Sequence, residues 1–533
     1  MSVTSFVFLL FIFATLIVYY IVPKKFSWLV LLAASISFYL LSSLKGTIFV
    51  LFTAGSIYGA TMWLQSITDK QKAYFKENKD TITKDEKSAI KAKNGKKRRA
   101  ILVLTLILNF GIMAVVKYSH FAVDTVNSIF GTGIDNSFSL IVPLGLSFYT
   151  FQSTGYLINI YWNNYKPEKN FLKVLLFVSF FPQMTQGPIS EFEQLSNELF
   201  ERKPFTYKNY SWGLQRMFWG LLKKMVIANN MALWVDDVFA NYSEYTGIAC
   251  LIGAFMYSVQ IYADFSGYMD IMCGYCEMLG ITLTENFERP YFSKSIAEYW
   301  RRWHITLGAW FKQYIYYPIA VSKWNRKLGL KLTEKFGETI GLNLPATIAL
   351  VAVWLTTGLW HGASWGYVAW GGVNGLFIIF SMWMEPVYAK MKHGLHINEK
   401  TWLWRAFQTV RTFVLVTFIK VLPEVGTLSD GIGLWKQIFT EHTIPTSITT
   451  LLPFLEISNT LFDNNLPLLF AVVVVLIGIL FIFSLLQRKR PVREYFNKIP
   501  VPVRLVCLIA EFMLIASIGV MASLEGGFMY AGF

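Results

Sequence analysis

Six histidines occur in the chain, and two of them stand in apolar surroundings. His393, His396 and His442 fall in loop-like segments, and His120 follows an apolar run. His361 closes the run LPATIALVAVWLTTGLW, and the next apolar run starts at Tyr367, after the turn Gly362-Ala363-Ser364-Trp365-Gly366. Irregular backbone at membrane depth is tolerated only where protein or water lines it. An imidazole there can serve as a general base near neutral pH, worth roughly 10²–10⁴ in rate. The residues alone leave two readings level: a base, or a helix-terminal ring bonded to a backbone carbonyl. His304 lies in AEYWRRWHITLGAWFKQYIYYP. Helical spacing predicts Trp300, Trp303, His304, Leu307 and Phe311 on one face, with Arg301 and Arg302 pointing elsewhere. This suits an interfacial or re-entrant helix, and its histidine is either functional or part of an aromatic anchor.

Acidic and hydroxyl groups form a third cluster in QIYADFSGYMDIMCGYCEMLG. Ionisable groups within membrane spans cost about 2.5–3.5 kcal/mol each on insertion scales, so they need a reason. Asp264 and Asp270 are six positions apart, do not stack on one helical face and make a poor acid/base dyad. Pairing with hydroxyls, Arg or Lys of another helix is the expected use of Asp264, Ser266 and Asp270, and an aspartate-lined transport path is the other reading. No Gly-x-Ser-x-Gly elbow, Walker A loop, HExxH or dinucleotide fingerprint occurs, which argues against the usual ATPases, zinc proteases and nicotinamide enzymes. Cys250, Cys273, Cys276 and Cys507 lie in or beside apolar stretches. The Cys273/Cys276 spacing lacks a second ligand pair, so packing is expected and no metal.

The elements that must hold these residues are membrane helices. Of 533 residues, 54% are hydrophobic and only 15% charged, where soluble proteins carry about 25% charged residues. About 20 apolar residues cross a bilayer. Candidate spans fall at 5–22, 27–44, 47–65, 100–117, 213–234, 247–275, 344–360, 366–386, 402–422, 467–486 and 501–521, with shorter or interrupted stretches at 139–160, 172–182 and 300–320. The reading is an all-α polytopic membrane protein with about 11–14 membrane-embedded helices by that length criterion, some short of a full crossing. Residues 5–22 have no preceding basic region and are followed by Lys24-Lys25, which predicts a first transmembrane helix and not a cleaved signal.

The net charge of +15 sits beside apolar spans and points to anionic lipid and membrane topology, not to nucleic acid. Residues 70–99 hold twelve Lys/Arg against four Asp/Glu, which predicts a cytoplasmic segment at 66–99, either a loop or a solvated helical hairpin. Three spans precede it, so the N-terminus is expected outside. Further soluble stretches are expected at 387–400 and 425–465, and Arg488-Lys489-Arg490 is a second inside marker.

YSVQIYADFSGYMD, ENFERPYFSKSIAEYWRRWHITLGAWFKQYIYYPI and WLTTGLWHGASWGYVAWGGVNGLF occur in that order between 257 and 377. Upstream stand PLGLSFYTFQSTGYLINIYW (143–162), FFPQMTQGPI (180–189) and GLLKKMVIAN (220–229). Together these resemble the membrane-bound O-acyltransferase (MBOAT) family, and most closely its bacterial branch that includes the membrane subunit of alginate O-acetyltransferase. The resemblance runs strongly from 140 to 386. It implies a single membrane-embedded acyltransferase domain over 1–533: N-terminal helices at 1–136, a core at 137–386, and C-terminal helices and loops at 387–533. It also implies a ring of helices, re-entrant and interfacial ones included, around a central tunnel. By resemblance, His361 falls on the family's catalytic histidine and His304 on a second histidine of the branch. Trp303, Trp360, Asp264, Ser266, Asp270, Asn286, Arg289 and Asn374 are the candidate substrate-binding or tunnel positions.

The implied reaction is acyl transfer across the bilayer. A cytoplasmic thioester, acetyl-CoA, is the expected donor substrate, with no bound cofactor. A hydroxyl of a cell-surface polysaccharide is the expected acceptor, reached directly or through an extracytoplasmic partner of hydrolase-like fold. His361 would take the acceptor proton, and Trp303 or His304 would supply a donor to the oxyanion. The bacterial cytoplasmic membrane is the expected location. D-alanyl transfer to teichoic acid is the near alternative, although relatives of that kind look shorter, and a transporter or flippase is the alternative of another class. Two departures from the branch stand out. After RTFVLV many relatives continue with an aromatic run ending in Phe-Arg, and here the chain reads TFIKVLPEVG. Asn374 stands where several relatives have a further histidine.

Overall fold

The computed structural model describes residues 3–444 and 466–520. Residues 445–465 of the expected soluble stretch, residue 521 of the last expected span, and 522–533 lie outside the described residues. Among the described residues every regular element is helical, apart from one isolated antiparallel bridge between Phe287 and Trp303. Among the described residues seven helices are long and apolar enough to cross a membrane, or eight if a bent pair is one span. Two shorter apolar helices, Phe6–Ile21 and Phe171–Gln183, add to these. The chain is an integral membrane protein.

Contacts divide it into two compact units, residues 3–211 with 275–283, and residues 212–274 with 284–533. The first unit carries α1 (Phe6–Ile21), α2 (Ser27–Ser42), α3 (Leu44–Glu77), α4 (Lys84–Phe130), α5 (Leu146–Trp162), α6 (Phe171–Ser179) and α7 (Phe192–Phe200). Phe8, Phe38 and Phe181 interlock as its aromatic centre, and the Ser35 hydroxyl accepts the Phe181 N–H at 3.2 Å. The expected basic loop at 66–99 is a helical hairpin: α3 runs 34 residues and α4 runs 47. Thr83 and Glu86 form a capping box at the start of α4, which satisfies backbone N–H groups that would otherwise lack partners. Arg98 ties the hairpin down by donating to the Tyr161 carbonyl at 2.6 Å, in the last turn of α5.

The second unit begins with α8 (Tyr207–Leu221), whose first turn falls before residue 212. A π-helical stretch, Leu222–Ala228, leads into α9 (Asn229–Ala240). The apolar run expected at 213–234 is therefore an irregular helix carrying two buried lysines, Lys223 and Lys224. It packs on α10 (Gly247–Met278) through glycines: a Cβ on Gly220 would stand 2.6 Å from the Gly267 carbonyl, and one on Gly274 2.5 Å from the Gly213 carbonyl. Backbones this close admit no side chain, and small residues are the usual means of such approach in membrane helices.

Next come α11 (Ile296–Arg302), α12 (Ile305–Phe311), α13 (Tyr317–Ala320), α14 (Lys323–Phe336), α15 (Glu338–His361) and α16 (Trp365–Trp383). α17 (Glu385–Gly394) bends 59° from α16. α18 (Trp402–Val421) and α19 (Leu428–Thr440) follow, then α20 (Leu466–Leu486), α21 (Val492–Phe496) and α22 (Val501–Ile518). The helix expected through 300–311 is broken. Trp303 is extended and His304 adopts φ 48°, so α11 and α12 are separate. The shared face predicted for Trp300 through Phe311 does not exist as one helical surface.

Candidate active site

His361 is the last residue of α15 and is 3% exposed. Its place follows from the tight α15–α16 hairpin. A Cβ on Gly358 would stand 2.5 Å from the Tyr367 carbonyl, and one on Gly371 2.5 Å from the Trp354 carbonyl, so the two helices meet backbone to backbone. Ser364 caps α16 by accepting the Tyr367 N–H at 3.4 Å. Around the imidazole stand Trp370 at 4.7 Å and Trp360 at 4.8 Å, both edge-on, and Tyr367 at 6.4 Å, nearly parallel.

The imidazole faces a small, partly open cavity. Its walls come from four elements: Tyr257 and Ile261 of α10, Trp300 and Trp303 at α11, His361 with Tyr367 and Trp370 at the α15–α16 hairpin, and Lys420 with Pro423 and Glu424 at the end of α18. The Tyr367 hydroxyl donates to Glu424 Oε1 at 2.9 Å. Glu424 lies beyond the last turn of α18, and burial pushes its carboxyl above the ordinary glutamate range, with the Tyr367 and Tyr257 hydroxyls pulling the other way. Lys420 Nζ donates to the Tyr291 hydroxyl at 2.8 Å and sits 3.9 Å above the centre of the Trp303 ring. Tyr291 in turn donates to the Ser258 carbonyl.

His304 does not line this cavity. It is buried one ring away: Trp360 lies 5.9 Å from His304 and 4.8 Å from His361, between the two imidazoles. Phe265 packs edge-on against His304 at 4.9 Å. Burial holds the His304 imidazole at about 3, well below its ordinary value, so the ring is neutral at physiological pH. Asn286 fixes the left-handed turn. Its carbonyl accepts the Ile305 N–H at 3.1 Å, and its side-chain oxygen accepts the Thr306 N–H at 3.1 Å and the Thr306 hydroxyl at 2.7 Å. These donors open α12, where a helix lacks internal acceptors. Asn286 therefore caps α12 from outside.

The remaining sequence candidates divide between two settings. Trp303 and Trp360 stand at the cavity and behind it. Asn374 accepts the Trp300 indole N–H at 3.0 Å and so props a wall of the cavity. Asp264, Ser266 and Asp270 lie in a charge network away from the cavity. Asp264 pairs with Lys224, Asp270 with Lys223 at 2.6 Å and Arg216 at 2.8 Å, and Ser266 accepts from Lys223 at 2.9 Å. Glu285 holds the other edge of Arg216 at 2.6 Å. Arg289, at φ 51°, stacks over Phe292 at 4.9 Å and is also away from the cavity. Sequence reasoning passed over Lys420, Glu424, Tyr367, Tyr257 and Trp370. A signal existed for the first two: they are the charged residues of TFIKVLPEVG, the run that departs from the family's pattern.

Residues 165–332 match the model of the MBOAT, membrane-bound O-acyltransferase, family. The matched segment is less than half of the chain. It contains the Asn286 cap and His304, and it ends before His361. A probable alginate O-acetylase of Pseudomonas aeruginosa is 31% identical to the chain over 345 residues, 64% of this chain and 61% of that protein. A peptidoglycan O-acetyltransferase of Helicobacter pylori is 32% identical over 305 residues, 52% of this chain and 54% of that protein. A teichoic acid D-alanyltransferase of Bacillus subtilis is 26% identical over 258 residues, 48% of this chain and 62% of that protein. The chain spans about three fifths or less of the length of these relatives.

Proposed function

We propose that the chain is a transmembrane O-acyltransferase of a bacterial cytoplasmic membrane. It moves an acetyl group from a cytoplasmic thioester, acetyl-CoA, to a hydroxyl of an extracytoplasmic cell-surface polysaccharide. A partner of hydrolase-like fold outside the membrane completes the relay. The observation that carries this reading is His361 at the end of a spanning helix, facing a cavity with aromatic walls, in a chain whose relatives at 31–34% identity are named alginate O-acetylases. CoA is too highly charged to cross hydrocarbon, so only the acyl group needs to pass. The cavity suits that task, since charges inside a dry site act far more strongly than in water. The indoles of Trp300, Trp303 and Trp370 support this reading, since they would help to exclude water and leave the imidazole as the base for the acceptor hydroxyl. The basic hairpin supports a cytoplasmic side for the α3–α4 turn and an outside N-terminus.

The test uses cells that depend on this protein for surface acylation. His361→Ala, with protein level checked by immunoblot, is expected to lower base-labile acetyl ester on the wall or exopolysaccharide by about 10²–10⁴-fold. Unchanged acetyl ester in that strain overturns the proposal. A second reading, D-alanyl transfer to teichoic acid, draws on the 26% identity to the Bacillus subtilis D-alanyltransferase. Mass analysis separates the two, since D-alanyl ester lost in place of acetyl ester selects the second.

A further inference from the structure

Three lysines of the second unit are almost wholly buried: Lys223 at 3%, Lys224 at 4% and Lys420 at 5% exposure. Burying an ammonium is costly unless it is compensated. Lys223 meets Asp270 and Lys224 meets Asp264. Lys420 makes no ion pair among the described residues. Its Nζ has one hydrogen bond, to the Tyr291 hydroxyl at 2.8 Å, and the faces of Trp303 at 3.9 Å, Tyr291 at 4.9 Å and Tyr299 at 5.4 Å. Aromatic faces attract a cation through their quadrupoles without cancelling its charge. Glu424, four positions on, is held by the Tyr367 hydroxyl and is not paired with Lys420. Lys420 is therefore held without a bonded carboxylate, with the Glu424 carboxyl acting on its charge from a distance, and it lines the same cavity as His361.

We propose that Lys420 is the electrostatic donor to the oxyanion of acyl transfer. This rests on the acyl-transfer reading given above. In the step, the acceptor oxygen forms a bond to the thioester carbonyl carbon and loses its proton to His361. The carbonyl π pair moves onto oxygen, and that oxyanion forms beside the Lys420 ammonium. Collapse restores the carbonyl, breaks the C–S bond and returns the proton from His361 to the departing thiolate, leaving an ester and a thiol. A cation with no bonded counter-ion before the reaction, which gains one as the oxyanion forms, favours the transition state over the ground state, which is the condition for raising kcat. The Trp303 indole, offered by the sequence as a donor in this role, instead carries the lysine on its face.

The experiment measures steady-state transfer by the full chain in nanodiscs, with radiolabelled acetyl-CoA as donor. Lys420→Met is expected to lower kcat by about 10²–10³-fold, with KM for acetyl-CoA changed less than about threefold. Lys420→Arg, which keeps the charge, is expected to recover at least about tenfold of that loss. A kcat for Lys420→Met within about twofold of the parent overturns the inference, and so does a raised KM at unchanged kcat. If Lys420→Met does not accumulate, Tyr291→Phe keeps the ring and removes the hydroxyl that holds the ammonium. About tenfold lower kcat in that variant supports the role, and an unchanged kcat overturns it. Parent protein that transfers no acetyl from acetyl-CoA, or His361→Ala that keeps the full rate, defeats the acyl-transfer reading and this inference with it.

Discussion

At the scale of the residue, much of the site's geometry rests on backbone positions that admit few side chains. Gly362 follows His361 directly, and a Cβ there would overlap the Tyr367 ring. Its φ of −172° is ordinary extended backbone, so the constraint is space and not conformation. Gly362→Ala is expected to push Tyr367 away from both His361 and Glu424. It should cost about 1–3 kcal/mol of stability, as overpacking usually does, and at least tenfold in acyl transfer, read by thermal unfolding and by the nanodisc assay. Full activity would show that the Tyr367 position does not matter. His361 was legible in the sequence because it is one of two histidines in apolar surroundings, and family motifs surround both. Lys420 was visible as an oddity, a lysine within an apolar run, but nothing in one dimension places it over Trp303, 117 positions earlier in the chain. Asn286 was legible only as part of a motif. Its capping of a helix that starts at Ile305 follows from the break at His304, which helical periodicity does not foresee.

At the scale of the element, the contact of the π-helical stretch with α10 is set by glycine and by charge together. The glycines let two backbones meet, and the meeting brings Lys223 and Lys224 to the carboxylates of α10. The sequence reading that Asp264 and Asp270 serve a polar network matches where the structure places them, and their spacing had already argued against a dyad. A basic partner on another helix was expected, but not which one, because the run 213–234 reads as an ordinary apolar span and hides its two lysines in a lipid-like context. Asp264→Asn removes the carboxylate of a buried pair and is expected to cost about 3–5 kcal/mol. Asp264→Leu combined with Lys224→Met should restore most of that, because a buried pair replaced by apolar residues of similar volume is often neutral. Thermal unfolding in detergent checks both. A double variant as unstable as the single one would mean that the pair does more than satisfy itself.

At the scale of the whole molecule, hydropathy located the long spans well, since length and apolarity are their only requirements. It left open whether the basic segment at 66–99 is a loop or a solvated helical hairpin, because charge marks solvent and does not distinguish the two, and the structure shows the hairpin. The topology is testable at its turn. Asp80→Cys, placed in a background with the four native cysteines changed to serine, is expected to react with a membrane-impermeant maleimide only after the cells are opened. Labelling of intact cells would invert the orientation.

The length of α4 has a kinetic consequence. Its 47 residues make a rod of about 70 Å, while the hydrocarbon layer is about 30 Å thick. With α3 beside it, the rod is long enough to carry basic residues beyond the hydrocarbon layer. Their field reaches about 8 Å at physiological ionic strength, so it acts on a polyanion during approach and not on one already seated. If the donor is the CoA thioester proposed above, the mast would work as a collector. Encounter should slow as salt is added, while turnover at saturation stays level.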